Sequence, residues 1–159
     1  MKKNKRAVLK RPAAKGVIME YRRFGNDCVL RLDRGEEVLE GIKKLCEQEN
    51  IRLAAVTGIG AAREAEIGIF DPEQRKFIPT KLKGAYEIAS CTGNVTQMDG
   101  KIYIHLHAVL GNEITGECHA GHLSRCVIGL TGELFLHVID GEVDRLYSSE
   151  TGLNQFLFR

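Results

Sequence analysis

The chain has 159 residues, 43% of them hydrophobic, and a formal net charge of +2. That is enough apolar material for one ordinary domain with a real core, and no apolar run approaches the ~18–20 residues of a membrane span. The charged start lacks the apolar segment of a secretory leader, and five cysteines without Cys-x-x-Cys spacing (Cys28, Cys46, Cys91, Cys118 and Cys126) read as free thiols in a reducing compartment. A cytoplasmic location is therefore expected.

The charge is distributed unevenly. Lys2, Lys3, Lys5, Arg6, Lys10, Arg11 and Lys15 all lie in residues 1–15, where there is no acid. Residues 16–159 keep sixteen basic and twenty-one acidic side chains, about −5 in net charge. We read 1–15 as a flexible basic arm and 16–159 as the folded domain. Any affinity for DNA through phosphate neutralisation belongs to the arm; a merely solubilising leader is the competing reading. Lys10-Arg11-Pro12 matches a minor-groove arm only in part, because the Gly-Arg-Pro core of an AT-hook is missing.

Val17–Arg22 and Asp27–Leu32 have strand character on either side of a Gly25-Asn26 turn. Asp33 can cap a helix over about 35–49, where Val38, Leu39, Ile42, Leu45 and Cys46 recur at helical spacing. Ile51–Thr57 reads as a central strand buried on both faces. The following Thr57-Gly58-Ile59-Gly60-Ala61 lacks the third glycine and the helix of a dinucleotide fingerprint. Gly58 and Gly60 instead suggest positive φ or a close approach of backbone to a neighbour or ligand. Further strands are expected around 65–69, over Lys76–Leu82, Tyr86–Val95, 101–110, Leu123–Leu130 and Glu133–Ile139, with Asp99-Gly100 and Thr131-Gly132 as hairpin turns. Glu142–Tyr147 reads as a continuation of the sheet and Gln155–Phe158 as a closing apolar segment. One helix among many short strands implies α+β, a largely antiparallel sheet curled around one main helix.

Four of the five histidines fall between His105 and His122. Ile102, Ile104, Leu106, Ala108 and Leu110 alternate with Tyr103, His105, His107 and Val109, so the two histidines leave a half-buried strand on the face opposite the aliphatic residues. Two imidazoles so placed can converge on one ion, and His119 or His122, expected in a loop, can supply a third nitrogen. Histidines facing water on the polar side of a strand are the alternative. Glu133, Phe135 and His137 share another strand face.

Taken together, Arg31-Leu32-x-x-Gly35-Glu36, Thr57-Gly58-x-Gly60-Ala61, Glu87-Ile88-x-x-x-Thr92-Gly93, His105-x-His107 and Gly121-His122-Leu123 resemble the plants and prokaryotes conserved (PPC) domain family over roughly residues 17–147. The resemblance implies a PPC-like α+β fold that assembles as a homotrimer and a metal site formed by His105, His107 and His122. It also implies a DNA-associated role, since plant members carry the domain behind AT-hooks. Ala120-Gly121-His122 departs from the usual Gly-Gly-His.

Three imidazoles suit Zn²⁺ and leave a coordination position for water or a ligand carboxylate. Metal-bound water can serve as a nucleophile, in which case Glu87, at the family's Glu-Ile motif, is the candidate base. Gly58, Gly60, Glu87 and His119 are the candidate pocket residues. Three functions stay open: a trimeric metal-binding protein with a regulatory or DNA-binding role, a small metal-dependent and hydrolytic enzyme, and a non-catalytic ligand-sensing or assembly module.

Overall fold

The computed structural model of the protein describes residues 19–158; the basic arm expected over 1–15 lies outside them. Strands β1 (Glu20–Phe24) and β2 (Asp27–Asp33) form the expected hairpin about Gly25-Asn26. The helix α1 (Val38–Glu49) follows, then β3 (Ala54–Asp71), β4 (Lys76–Met98), β5 (Lys101–Asn112), β6 (Glu117–Val138), β7 (Asp144–Tyr147) and β8 (Asn154–Leu157). The architecture is α+β, a largely antiparallel sheet curled against one helix.

The helix begins later than the 35–49 expected from periodicity. Its cap is Glu37 rather than Asp33: one carboxylate oxygen of Glu37 accepts from the Glu40 N–H and the other from the Cys126 N–H of β6, both at 2.8 Å. One side chain therefore ends the helix and fixes it to the sheet. Val38, Ile42, Leu45 and Cys46 turn inward and join Leu30, Leu32, Leu106, Leu110, Ile128 and Leu136 in one core.

The sheet differs from the expected run of short strands. Residues 54–57 and 65–69 are parts of one strand, as are 76–82 with 86–95 and 123–130 with 133–138; 51–53 and 139 lie outside the strands. Thr131-Gly132 is not a hairpin turn: Thr131 pairs with Asp33, and Gly132 pairs with both Leu32 and Gly60. The breaks in periodicity are β-bulges, at Gly58/Gly60 and Ala62/Glu64, which bend a strand without ending it. Nor is the first part of β3 buried on both faces, since Ala54 and Val56 are buried while Ala55 and Thr57 are exposed. β7 does not extend the main sheet; it pairs with β8 in a separate two-stranded sheet.

The strand order is β1-β2-β6-β3-β4-β5, and β5 also pairs with β6. Four strands thus close on themselves at one end, while the other end of β6 carries β2 and β1 as an open extension. Closure brings backbones very close. Gly121 has φ 155°, and a Cβ there would lie 2.3 Å from the Gly68 carbonyl oxygen on β3. Among the described residues, no helix is long and apolar enough to cross a membrane.

Gly121→Ala is expected to destabilise the protein by about 2 kcal/mol or more, because the clash is with backbone that no rotamer change relieves. Urea denaturation of the variant beside wild type measures this; an unchanged midpoint would contradict the close-approach argument.

Candidate metal centre

The β5–β6 ladder assembles the histidines. His107 lies directly opposite His122, and Ala108 opposite Gly121. His105 is two residues from His107 and shares its face, opposite the buried Leu106, Ala108 and Leu110. The ring centroids of His105 and His122 are 5.1 Å apart, those of His105 and His107 5.2 Å, and those of His107 and His122 5.7 Å. One nitrogen from each ring lies within 4.8 Å of the other two.

A tetrahedral ion bound at ~2.0–2.1 Å needs nitrogens about 3.4 Å apart, so small ring rotations bring the three onto one ion. The protonation of His105 and His122 favours this. Burial, with the neighbouring His122, Arg145 and His107, pushes the His105 imidazole down to about 4. His122 is also lowered, first by burial and then by His107. Neutral imidazole is the form that donates a lone pair to a metal.

The other candidate residues lie elsewhere. His119 belongs to β6 rather than to a loop, three residues from His122 and hence on the opposite strand face. It is half-buried, its ring packs edge-on against Tyr86 with centroids 6.1 Å apart, and its Nε2 is buried with no hydrogen-bond partner among the described residues. Glu87, exposed on β4, pairs with Gly111, four residues beyond His107 on β5; that is about 13 Å along the strand. The structure does not bring Glu87 into the histidine cluster. Gly58 and Gly60 lie far along β3 from His122, opposite Leu134 and Gly132. A Cβ on either would meet a carbonyl oxygen of β6, so they serve strand-to-strand approach. His137 stands apart as an exposed residue whose Nδ1 is 2.9 Å from Asp27. The buried Cys126 thiol, pushed up to about 12 by burial, is no part of the cluster.

Sequence reasoning missed the residues around the three histidines. Phe77 of β4 packs edge-on against His122 at 5.5 Å. Asn94 pairs opposite His105, and Arg145 of β7 donates to the Asn94 side chain. These contacts join positions far apart in the chain, and no local spacing signals them.

With the site in view, comparison with known proteins is decisive for family. The Plants and Prokaryotes Conserved (PCC) domain family matches residues 19–140. The chain belongs to this family. A metal-containing protein from Archaeoglobus fulgidus is 33% identical, with TM-score 0.79, covering 89% of this chain and 99% of that one. A PPC protein from Pyrococcus horikoshii is 30% identical, with TM-score 0.76, over 89% of this chain and 96% of its own. A candidate DNA-binding protein from Bacteroides thetaiotaomicron is 26% identical, with TM-score 0.84, over 88% and 97% respectively. No curated protein matches the chain.

The depressed His105 makes the metal-free protein sensitive to acid. Its folded value of about 4 lies below the ordinary 6.5, so on acidification the unfolded chain takes up the proton first. The contribution is fully present above the ordinary value and is lost as pH falls towards the folded one. The urea midpoint of metal-free protein is expected to be lower at about pH 5 than at about pH 7, and His105→Gln should reduce that difference. A pH difference as large in the variant as in wild type would contradict the assignment.

Proposed function

We propose that this PCC-domain protein binds one divalent metal ion per chain through His105, His107 and His122, and that the ion is zinc. The observation that carries this reading is the convergence of three imidazole nitrogens within 4.8 Å of one another. The metal-containing relative from Archaeoglobus supports it. Three neutral nitrogen donors suit zinc, and a three-residue set leaves the ion a position for an exogenous ligand, where it acts as a Lewis acid. Among the described residues the ligand set is three imidazoles, and Glu87, the acid expected to serve as base, pairs with Gly111 well along the strand from them; this supports reading the cluster as a binding centre. Five free cysteines support a reducing, cytoplasmic setting.

We further propose that the chain assembles as a homotrimer and that it contacts DNA through the basic arm. The support for DNA is the charge asymmetry, seven basic residues in 1–15 against a net of about −5 beyond them, together with the candidate DNA-binding relative. An acidic body repels phosphate while the arm attracts it. Three arms on one assembly would gain apparent affinity through effective concentration. Such binding is weak, tolerant of sequence and steeply dependent on salt.

Metal analysis of protein purified without chelator is expected to give close to one ion per chain, lost in both His105→Ala and His107→Ala. Full metal content in both variants would sink the assignment.

For DNA, deleting residues 2–15 should abolish duplex binding while leaving metal content and the three-chain mass in light scattering unchanged. A truncated protein that binds with the full-length affinity and salt dependence would remove the arm from the proposal. A monomer at micromolar concentration would remove the trimer.

A further inference from the structure

The strand face that carries the histidines also carries a buried cation. Arg145 is 7% exposed and reaches from β7 onto β4 and β5. Its Nε donates to Thr96 Oγ1, its Nη2 to Asn94 Oδ1 and its Nη1 to the Asn154 carbonyl, each at 2.8 Å. The guanidinium carbon lies 4.6 Å from the centre of the Tyr103 ring and 4.5 Å from that of Phe156.

The ladder locates this group beside the histidines. Asn94 pairs directly opposite His105, and Thr96 opposite Tyr103. Tyr103 is two residues from His105 and shares its face. Directly opposed side chains start about 4.5–5.5 Å apart at Cβ, so a guanidinium bonded to Asn94 and stacked on Tyr103 stands next to His105.

This cation is solvated by neutral groups. Its acceptors among the described residues are a hydroxyl, a side-chain amide oxygen and a backbone carbonyl. A guanidinium removed from water is costly without a compensating anion, and it has five N–H donors, of which these bonds use three. A divalent ion on the three histidines would add two positive charges to a cluster that holds no acid. Positive charge on both sides, spare donors and an open coordination position are all answered by one anionic oxygen ligand. The aromatic surfaces of Tyr103 and Phe156 beside the cation favour an organic body over a bare inorganic ion.

We propose that the metal centre takes a small carboxylate, with one oxygen on the ion and the other hydrogen-bonded to Arg145. This rests on the reading of His105, His107 and His122 as metal ligands. Arg145 is then the residue that selects the anion, and Asn94 and Tyr103 position it.

The test uses the full chain loaded with cobalt(II), whose visible spectrum reports its ligands. Acetate, benzoate and inorganic phosphate are titrated separately. Both carboxylates should change the spectrum saturably, benzoate at lower concentration than acetate and both below phosphate. Arg145→Met should weaken the carboxylate response roughly tenfold or more at unchanged cobalt content. Since Arg145 also ties β7 to β4, Arg145→Lys is measured beside it. Lysine keeps the charge but loses the planar fork and should show an intermediate response. No cobalt binding by wild-type protein would overturn the metal reading and this inference with it. Cobalt bound with a spectrum indifferent to carboxylates would overturn this inference alone. So would phosphate acting at lower concentration than either carboxylate, or an unchanged carboxylate response in both Arg145 variants.

Discussion

Pairing of β5 with β6 is the constraint on which the site depends. β5 is already hydrogen-bonded to β4, and β4 to β3, so the extra ladder closes four strands on themselves. That ladder places His122 opposite His107 and, through the two-residue period, within reach of His105. Without it, His105 and His107 would be a pair on the polar face of one strand, with His122 on another. The closure is permitted where side chains are absent: Gly121 faces the Gly68 carbonyl across a gap that no Cβ could enter.

Closure also explains the protonation of His105 and His122. Packing His105 and His122 into a partly buried face beside His107 takes those two rings partly out of water and sets like charges side by side. Both effects disfavour the imidazolium. Arg145 adds a fixed positive charge from outside the ladder. Neutral His105 and His122 are in the form that the proposed metal binding requires. The anion binding proposed for Arg145 rests on the same excess of positive charge.

The helix has a different part. Glu37 caps α1 and accepts from the Cys126 N–H on β6, while the apolar stripe of α1 covers the core between Leu32 and Leu106. Nothing on its exposed face meets the histidines. Its contribution to the site is to hold β6 in place, and the site chemistry is left to the strands.

The sequence by itself determined the period-two face of His105 and His107, the presence of one amphipathic helix, the hairpin at Gly25-Asn26 and the α+β class, because each is set by spacing within a few residues. The ordered motifs pointed to the family for the same reason. Strand continuity was not legible. A bulge at Gly58/Gly60 interrupts the period-two pattern, and a paired Thr131-Gly132 looks like a turn when only the local composition is read. Tertiary structure alone decided that His119 points away from His122, that Glu87 sits well along the sheet from the cluster, and that Arg145 lies beside it. The first depends on both residues belonging to one continuous strand, the second on register between strands, and the third on a C-terminal hairpin folding back across about fifty residues of chain. Pairing register is fixed by the packing of the whole sheet, and no pattern within one segment encodes it.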